Sequence, residues 1–241
     1  MTPFPRRLFT IFMFVLLAAA GILGSVFADP NGASILTSSS ENATPQAAAS
    51  ITTTGGSFTT LLINATTQTP RWKAFVGNVT GRFALQDAQN YSIYDWNLAT
   101  ISGEVYASRN SSITWSAIRC AVNSTLITEQ TQLNITTTKE DSINRTFNQS
   151  IHRSFYVGTT LITNSSCRAI ATYINNTRQT PNESATFQEI LLDDTQRLVY
   201  VTMLENKAIG YNLNRFDFQL IVAESEFNPT PSPYYFWAEL S

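Results

Sequence analysis

Twelve asparagines in this chain stand two positions before a Ser or Thr with no proline between, and whatever the chain folds into must leave such side chains at the surface. They are Asn42, Asn64, Asn78, Asn90, Asn110, Asn123, Asn134, Asn144, Asn148, Asn164, Asn175 and Asn182. From Asp29 onward there are 19 asparagines, and with about a quarter of positions Ser or Thr, random placement would give about five such sites. The excess points to N-linked glycans, which need a solvated attachment point outside a membrane. The competing reading is an Asn/Thr-rich composition whose acceptor sites no enzyme uses.

The first residues supply an address consistent with that surplus. Arg6 and Arg7 precede an apolar run from Leu8 to Phe27, and Val26-Phe27-Ala28 offers small or aliphatic residues at the positions a signal peptidase reads. Residues 1–28 therefore read as a signal peptide cut after Ala28. A run of about twenty helical residues also spans the hydrocarbon core, so an uncleaved anchor helix is the alternative, and it is the only expected route into a membrane. Arg6-Arg7-Leu8-Phe9 has a twin-arginine look, but so apolar a core suits the general secretory route. No cysteine lies nearby to carry a lipid anchor.

Cys120 and Cys167 are the chain's two cysteines, and an even count in an oxidising compartment reads as one disulfide, with two buried free thiols as the alternative. Closing a loop of that length stabilises a fold by about 4 kcal/mol in the chain-entropy model. His152 is the sole histidine and no C-x-x-C occurs, so neither a metal site nor any other cofactor is expected. Removing Arg6 and Arg7 leaves 13 basic against 17 acidic side chains, with no basic stripe for nucleic acid. Charged residues make up only 13% of the chain, so hydroxyls, amides and sugars must supply much of the surface polarity.

Residues 29–56 are rich in Ser, Thr, Ala and Gly with almost nothing large to bury, and read as a flexible linker or stalk. From Ser57 to Ser241 aromatic and β-branched residues alternate with Thr, Ser, Asn and Gln. That pattern predicts one all-β domain, an antiparallel two-sheet β-sandwich of immunoglobulin-like or jelly-roll-like type. Strands are expected over Lys73–Leu85, Tyr91–Trp96, Ile101–Ala107, Cys167–Ile174, Arg215–Val222 and Tyr234–Leu240. A hairpin from Phe187–Leu192 into Leu198–Leu204 is expected to turn at Asp193-Asp194-Thr195-Gln196. Over Lys73–Leu85, Phe75, Val79, Phe83 and Leu85 share one face and Asn78, Thr80 and Arg82 the other. Ile113 and Trp115 take the parity opposite Asn110, which puts Trp115 in the core. Asn175 shares parity with Cys167 and Tyr173, which a turn or bulge would resolve. Glu129–Leu133 and Asp141–Phe147 read as short helical turns.

No G-x-S-x-G elbow, H-E-x-x-H pair, phosphate-cradling glycine loop or calcium-loop spacing occurs, so no enzyme is expected. A serine triad would have to use His152; a glycosidase would need an acid pair about 5 to 9.5 Å apart drawn from Asp87, Asp95, Glu104, Glu189 and Asp217, each more simply a turn or solvated strand residue. Trp72, Tyr94, Trp96, Trp115, Tyr234, Tyr235 and Trp237 raise a second class of function, glycan binding by ring stacking, against the ordinary reading that rings fill cores. Trp96 shares parity with Asn90 and Ser92 and is expected to be exposed. The last 59 residues, 183–241, lack an acceptor site, since Pro229 disables Asn228. They read either as a bare docking face for copies of this chain or other surface proteins, or as central strands with tight turns. The β-prone Ser57–Ile63 segment behind a mobile stalk also permits strand addition to a neighbour's sheet.

The phrases Trp72-Lys73-Ala74-Phe75-Val76-Gly77-Asn78-Val79-Thr80-Gly81, Ile93-Tyr94-Asp95-Trp96 and Gly103-Glu104-Val105-Tyr106-Ala107-Ser108 resemble those of secreted, acceptor-rich surface proteins of archaea. In architecture residues 57–241 are similar to the glycosylated β subunits of archaeal extracellular threads and bundling pili. The resemblance implies an extracellular structural or assembly role and carries no catalytic or binding residue onto this chain. No cleavage motif of the type IV pilin class is identifiable.

Overall fold

The computed structural model describes residues 29–225 and 231–241; the expected signal or anchor helix over residues 1–28 lies outside them. The chain is mostly strand, in antiparallel sheets, with two short α-helices and one 3-10 turn at Trp115–Ala117 among the described residues. In order come β1 (Asn31–Gly32), β2 (Trp72–Gly77), β3 (Arg82–Gln86), β4 (Ser92–Asn97), β5 (Gly103–Ser108) and β6 (Arg119–Cys120). Helices α1 (Asn123–Gln132) and α2 (Ile143–Thr146) follow, then β7 (Phe155–Val157), β8 (Thr160–Ile162) and β9 (Ala169–Ala171). The chain finishes with β10 (Gln188–Asp193), β11 (Leu198–Met203), β12 (Ala208–Ile209), β13 (Arg215–Phe216), β14 (Phe218–Ala223) and β15 (Tyr235–Leu240).

The strongest β signal makes the centre of the main sheet. Every residue of β10 and β11 is buried, because apolar and β-branched side chains there cover both faces of a fully flanked pair. Seven strands run in the order β1-β15-β5-β11-β10-β6, with β9 also on β10. One face packs Leu191, Leu198 and Tyr200 against Leu220 and Val222 of the β2–β14 ribbon and against Leu126, Leu133 and Phe147 of the helical segment. The other packs Ile190, Leu192, Val199 and Val201 against Phe155, Val157 and Ile162 of the β7–β8 hairpin.

One carboxylate ties the centre together. Asp193, fully buried at the end of β10, accepts from Arg119 Nε at 2.8 Å, Thr195 N at 3.0 Å, Val122 N at 2.9 Å and Thr125 Oγ1 at 3.0 Å. Val122 offers α1 no side-chain cap, and this distant aspartate accepts the Val122 N–H at the helix start and the Thr125 hydroxyl in the first turn. The far end of α1 closes through Asn134 at φ 56°, with Ile135 N–H bonded to Gln130 O at 2.8 Å and Asn134 N–H to Thr131 O at 3.1 Å, the double bond pattern of a left-handed helix cap.

Several expectations change. Ser57–Ile63 forms no strand, and none forms between Gly32 and Trp72; Phe58 and Leu62 stand 96% and 102% exposed because no sheet edge lies beside them. The expected single strand over Lys73–Leu85 is two, β2 pairing β14 and β3 pairing β4. The chain breaks where Gly81 meets Leu240: a Cβ at Gly81 would stand 2.2 Å from Leu240 Cδ1. Phe83 and Leu85 consequently leave the core and are 42% and 58% exposed. The expected Cys167–Ile174 strand shortens to β9, and Asn175 at φ 47° lies in the turn beyond it. The helical turn expected over Glu129–Leu133 is the end of the longer α1.

Replacing Asp193 by Ala leaves two backbone N–H groups and a hydroxyl without their acceptor, and should lower the unfolding free energy by about 3 kcal/mol. Urea denaturation of the oxidised protein measures this; a loss below about 1 kcal/mol, the size of one ordinary hydrogen bond, would refute the hub role.

Candidate functional site

Eleven of the twelve acceptor asparagines are exposed, the exception being Asn144, which is half-buried on α2 with its Oδ1 buried. Local structure explains several positions. Asn90 at φ 68°, Asn134 at φ 56° and Asn175 at φ 47° occupy left-handed turns, which asparagine tolerates better than most residues. Asn182 Oδ1 accepts from Ser184 N at 2.9 Å and Ser184 Oγ at 2.7 Å, so the asparagine and its hydroxyl partner are already folded onto one another. Asn164 Nδ2 donates to Glu183 Oε1 at 2.5 Å, and bonds from Asn164 and Ser165 lower the pKa of that solvent-facing carboxyl.

Cys120 and Cys167 are joined by a disulfide. His152, with no exposed surface, braces it: Nε2 accepts from Cys167 N at 3.0 Å and Ser166 N at 3.2 Å, so the ring proton sits on Nδ1 and points to Arg153 O at 2.8 Å. Both ring nitrogens are used by backbone, and burial lowers the ring's pKa. As a triad base it is unavailable.

Four of the five candidate acids have structural partners. Asp87 accepts from Gln89 N and Tyr91 N in the β3–β4 turn, Asp95 pairs with Arg82, and Asp217 accepts from Val79 N and Lys207 N. Glu189 is fully buried, with one oxygen on Ile221 N–H at 2.9 Å and the other without a partner; burial pushes its pKa well up. The fifth, Glu104, lies directly across from Glu239 where β5 meets β15, a pairing that no motif announces. Burial, then the Glu239 charge, raises Glu104 to about 8. Glu239 is raised too, chiefly by burial, while accepting from Tyr106 Oη at 2.9 Å and from Gly158 N at 3.0 and 3.1 Å.

The aromatic candidates divide. Trp115 packs between Tyr106 at 5.2 Å and Trp237 at 5.5 Å; Trp72 lies against Phe147 and donates to Asp141 O; Tyr234 donates to Ala223 O. Tyr235 is 42% exposed at the start of β15, beyond the part that β1 covers. Tyr94 and Trp96 are exposed on β4, with cross-strand partners Leu85 and Phe83 also exposed. Their rings meet at 64° rather than coplanar, 4.9 Å apart. No bare docking face arises from β10 and β11, which are wholly interior; central burial accounts for the lack of acceptor sites there.

No family model, curated protein or solved structure matches this chain. Among the described residues no group of three or more His, Cys, Asp or Glu could hold a metal, and no helix is long and apolar enough to cross a membrane.

The raised carboxyls fix the direction of a pH dependence. A folded-state pKa above the unfolded 4.5 means the fold holds the proton more tightly, so the Glu104 contribution is complete below pH 4.5 and is lost as pH rises through about 8. Glu189 and Glu239 act in the same direction. His152 acts oppositely: its stabilisation is full above pH 6.5 and is lost as pH falls through its lowered folded pKa. Urea midpoints should therefore fall between pH 6.5 and 8.5, and Glu104→Gln should flatten that decline. An unchanged slope would show that Glu104 does not titrate there.

Proposed function

We propose that this chain is an exported, N-glycosylated structural protein of the cell surface or of an extracellular filament, and that its described part is a two-sheet β-sandwich with the β2–β14 ribbon laid over the main sheet. The carrying observation is the exposure of eleven of twelve acceptor asparagines in a domain closed by a disulfide, which suits an oxidising compartment. Assembly is supported by two unsatisfied apolar surfaces. One is the fully exposed loop over residues 34–68 carrying Phe58, Leu61, Leu62 and Ile63. The other is the β3–β4 hairpin, whose strands pair among the described residues only with each other and which exposes Phe83, Leu85, Tyr94 and Trp96 on one face. A lone two-stranded hairpin is marginal in water, and a loop this long without structure of its own suits a binding role.

The alternative, a carbohydrate-binding or adhesive module, draws on the exposed Tyr94–Trp96 pair alone. Soluble oligosaccharide that quenches tryptophan fluorescence in the wild type and not in Trp96→Ala would favour it.

Native protein should exceed its polypeptide mass by several glycans, with glycopeptide mapping finding Asn144 empty. A mass equal to the naked chain would end the glycoprotein reading. Leu62→Asp with Ile63→Asp should abolish assembly in sedimentation and electron microscopy while leaving the melting temperature unchanged, because both side chains are already in water. A wild-type protein that stays monomeric at high concentration refutes assembly.

A further inference from the structure

The chain segment just after Ala28 is docked. Pro30 is buried, Asn31 and Gly32 pair with Ala238 and Trp237 on the outer edge of β15, and Ala33 N–H bonds to Phe236 O at 2.9 Å. This short strap places Asp29 against Gly158: a Cβ at Gly158 would lie 2.9 Å from Asp29 Oδ1 and 3.7 Å from Asp29 Cα. Gly158, at φ 53°, in turn gives its N–H to both oxygens of Glu239. Three carboxyls therefore gather at one end of the β5–β15 pair, and the Asp29 charge is felt at Glu239.

What this cluster lacks is a cation. Among the described residues no Lys or Arg forms an ion pair with Asp29, Glu104 or Glu239. Arg153, whose charge reaches Glu104, is held by Glu205 at 2.8 Å. Partly buried carboxylates without a counter-charge are costly.

We infer that removal of the leader supplies this cation: the α-ammonium freed at Asp29 pairs with the Glu239 carboxylate and locks the strap onto β15. In the uncut chain the same nitrogen is a neutral peptide N–H. Hydrolysis of the Ala28–Asp29 bond adds water across it, leaving a carboxylate on Ala28 and an ammonium on Asp29. The positive charge thus arises one residue from the buried Pro30, beside a carboxyl whose N–H donor Asp29 already touches. Closing the strap also decides the state of residues 34–68. With β1 docked they form a loop anchored at both ends; with β1 free, everything before β2 is a loose arm. Export processing and the tethering of the Phe58–Ile63 segment become linked.

The inference rests on export with a cut after Ala28, and its test separates the two. Protein starting at Asp29 would be compared with the same protein Nα-acetylated and with one retaining Ala28 as first residue, each also as Glu239→Gln. The free Asp29 terminus should slow Ala33 N–H exchange by about five- to tenfold and raise the melting temperature by about 2–4 °C. Its α-amino pKa, read by NMR, should lie about one unit above the usual value near 8. Acetylation, the extra alanine and Glu239→Gln should each remove these differences. Equal exchange and melting in free and acetylated proteins, or a difference that persists in Glu239→Gln, overturns the latch while leaving the glycoprotein reading intact. N-terminal mass analysis of native protein should find Asp29 first; another first residue overturns the link to processing.

Discussion

The Asp193 carboxylate is the interaction on which the rest of the architecture hangs. It ends the central hairpin, fixes the strand that carries Cys120 through Arg119, and serves the first turn of α1. A buried carboxylate is tolerable only when its lone pairs are filled, and four donors fill them here. The neighbouring Asp194 does the same for the turn, accepting from Gln196 N, Arg197 N and Thr114 N. Two adjacent aspartates thereby bind the hairpin to the segment leading into Trp115 and to the start of the helical segment.

Around that hub the sheet is asymmetric. Its Cys120 side is tied by a covalent link that His152 braces through backbone bonds, whereas its β15 side is guarded by only a short strap. Exposed strand edges are prone to pairing in general, and β1 covers the outer edge of β15 only at Trp237 and Ala238. The charges agree with this geometry, since the cation-poor carboxyl pair lies on that same side.

Much of this was legible from alternation and turn chemistry. The Phe187–Leu204 hairpin, the packing of Trp115 against the core and the exposure of Trp96 follow from residue patterns that act over a few positions. What alternation cannot carry is the identity of a partner. The break at Gly81 depends on Leu240, the start of α1 on Asp193, and the Glu104–Glu239 pairing on a register between strands more than a hundred residues apart. The strap carries no sequence signal because Asn31 and Gly32 have no β propensity; their pairing exists because the edge of β15 is available. Ser57–Ile63 failed in the opposite sense, having the propensity and no edge.

The left-handed backbone at Asn90, Asn134 and Asn175 has a practical bearing on how these acceptor sites can be disabled genetically. Exchanging the asparagine itself would force another side chain into a conformation costing about 1 kcal/mol or more, so loss of the acceptor and a strained turn would be confounded. Swapping the downstream hydroxyl at Ser92, Thr136 or Thr177 for alanine disables the acceptor while leaving the turn's own residue in place.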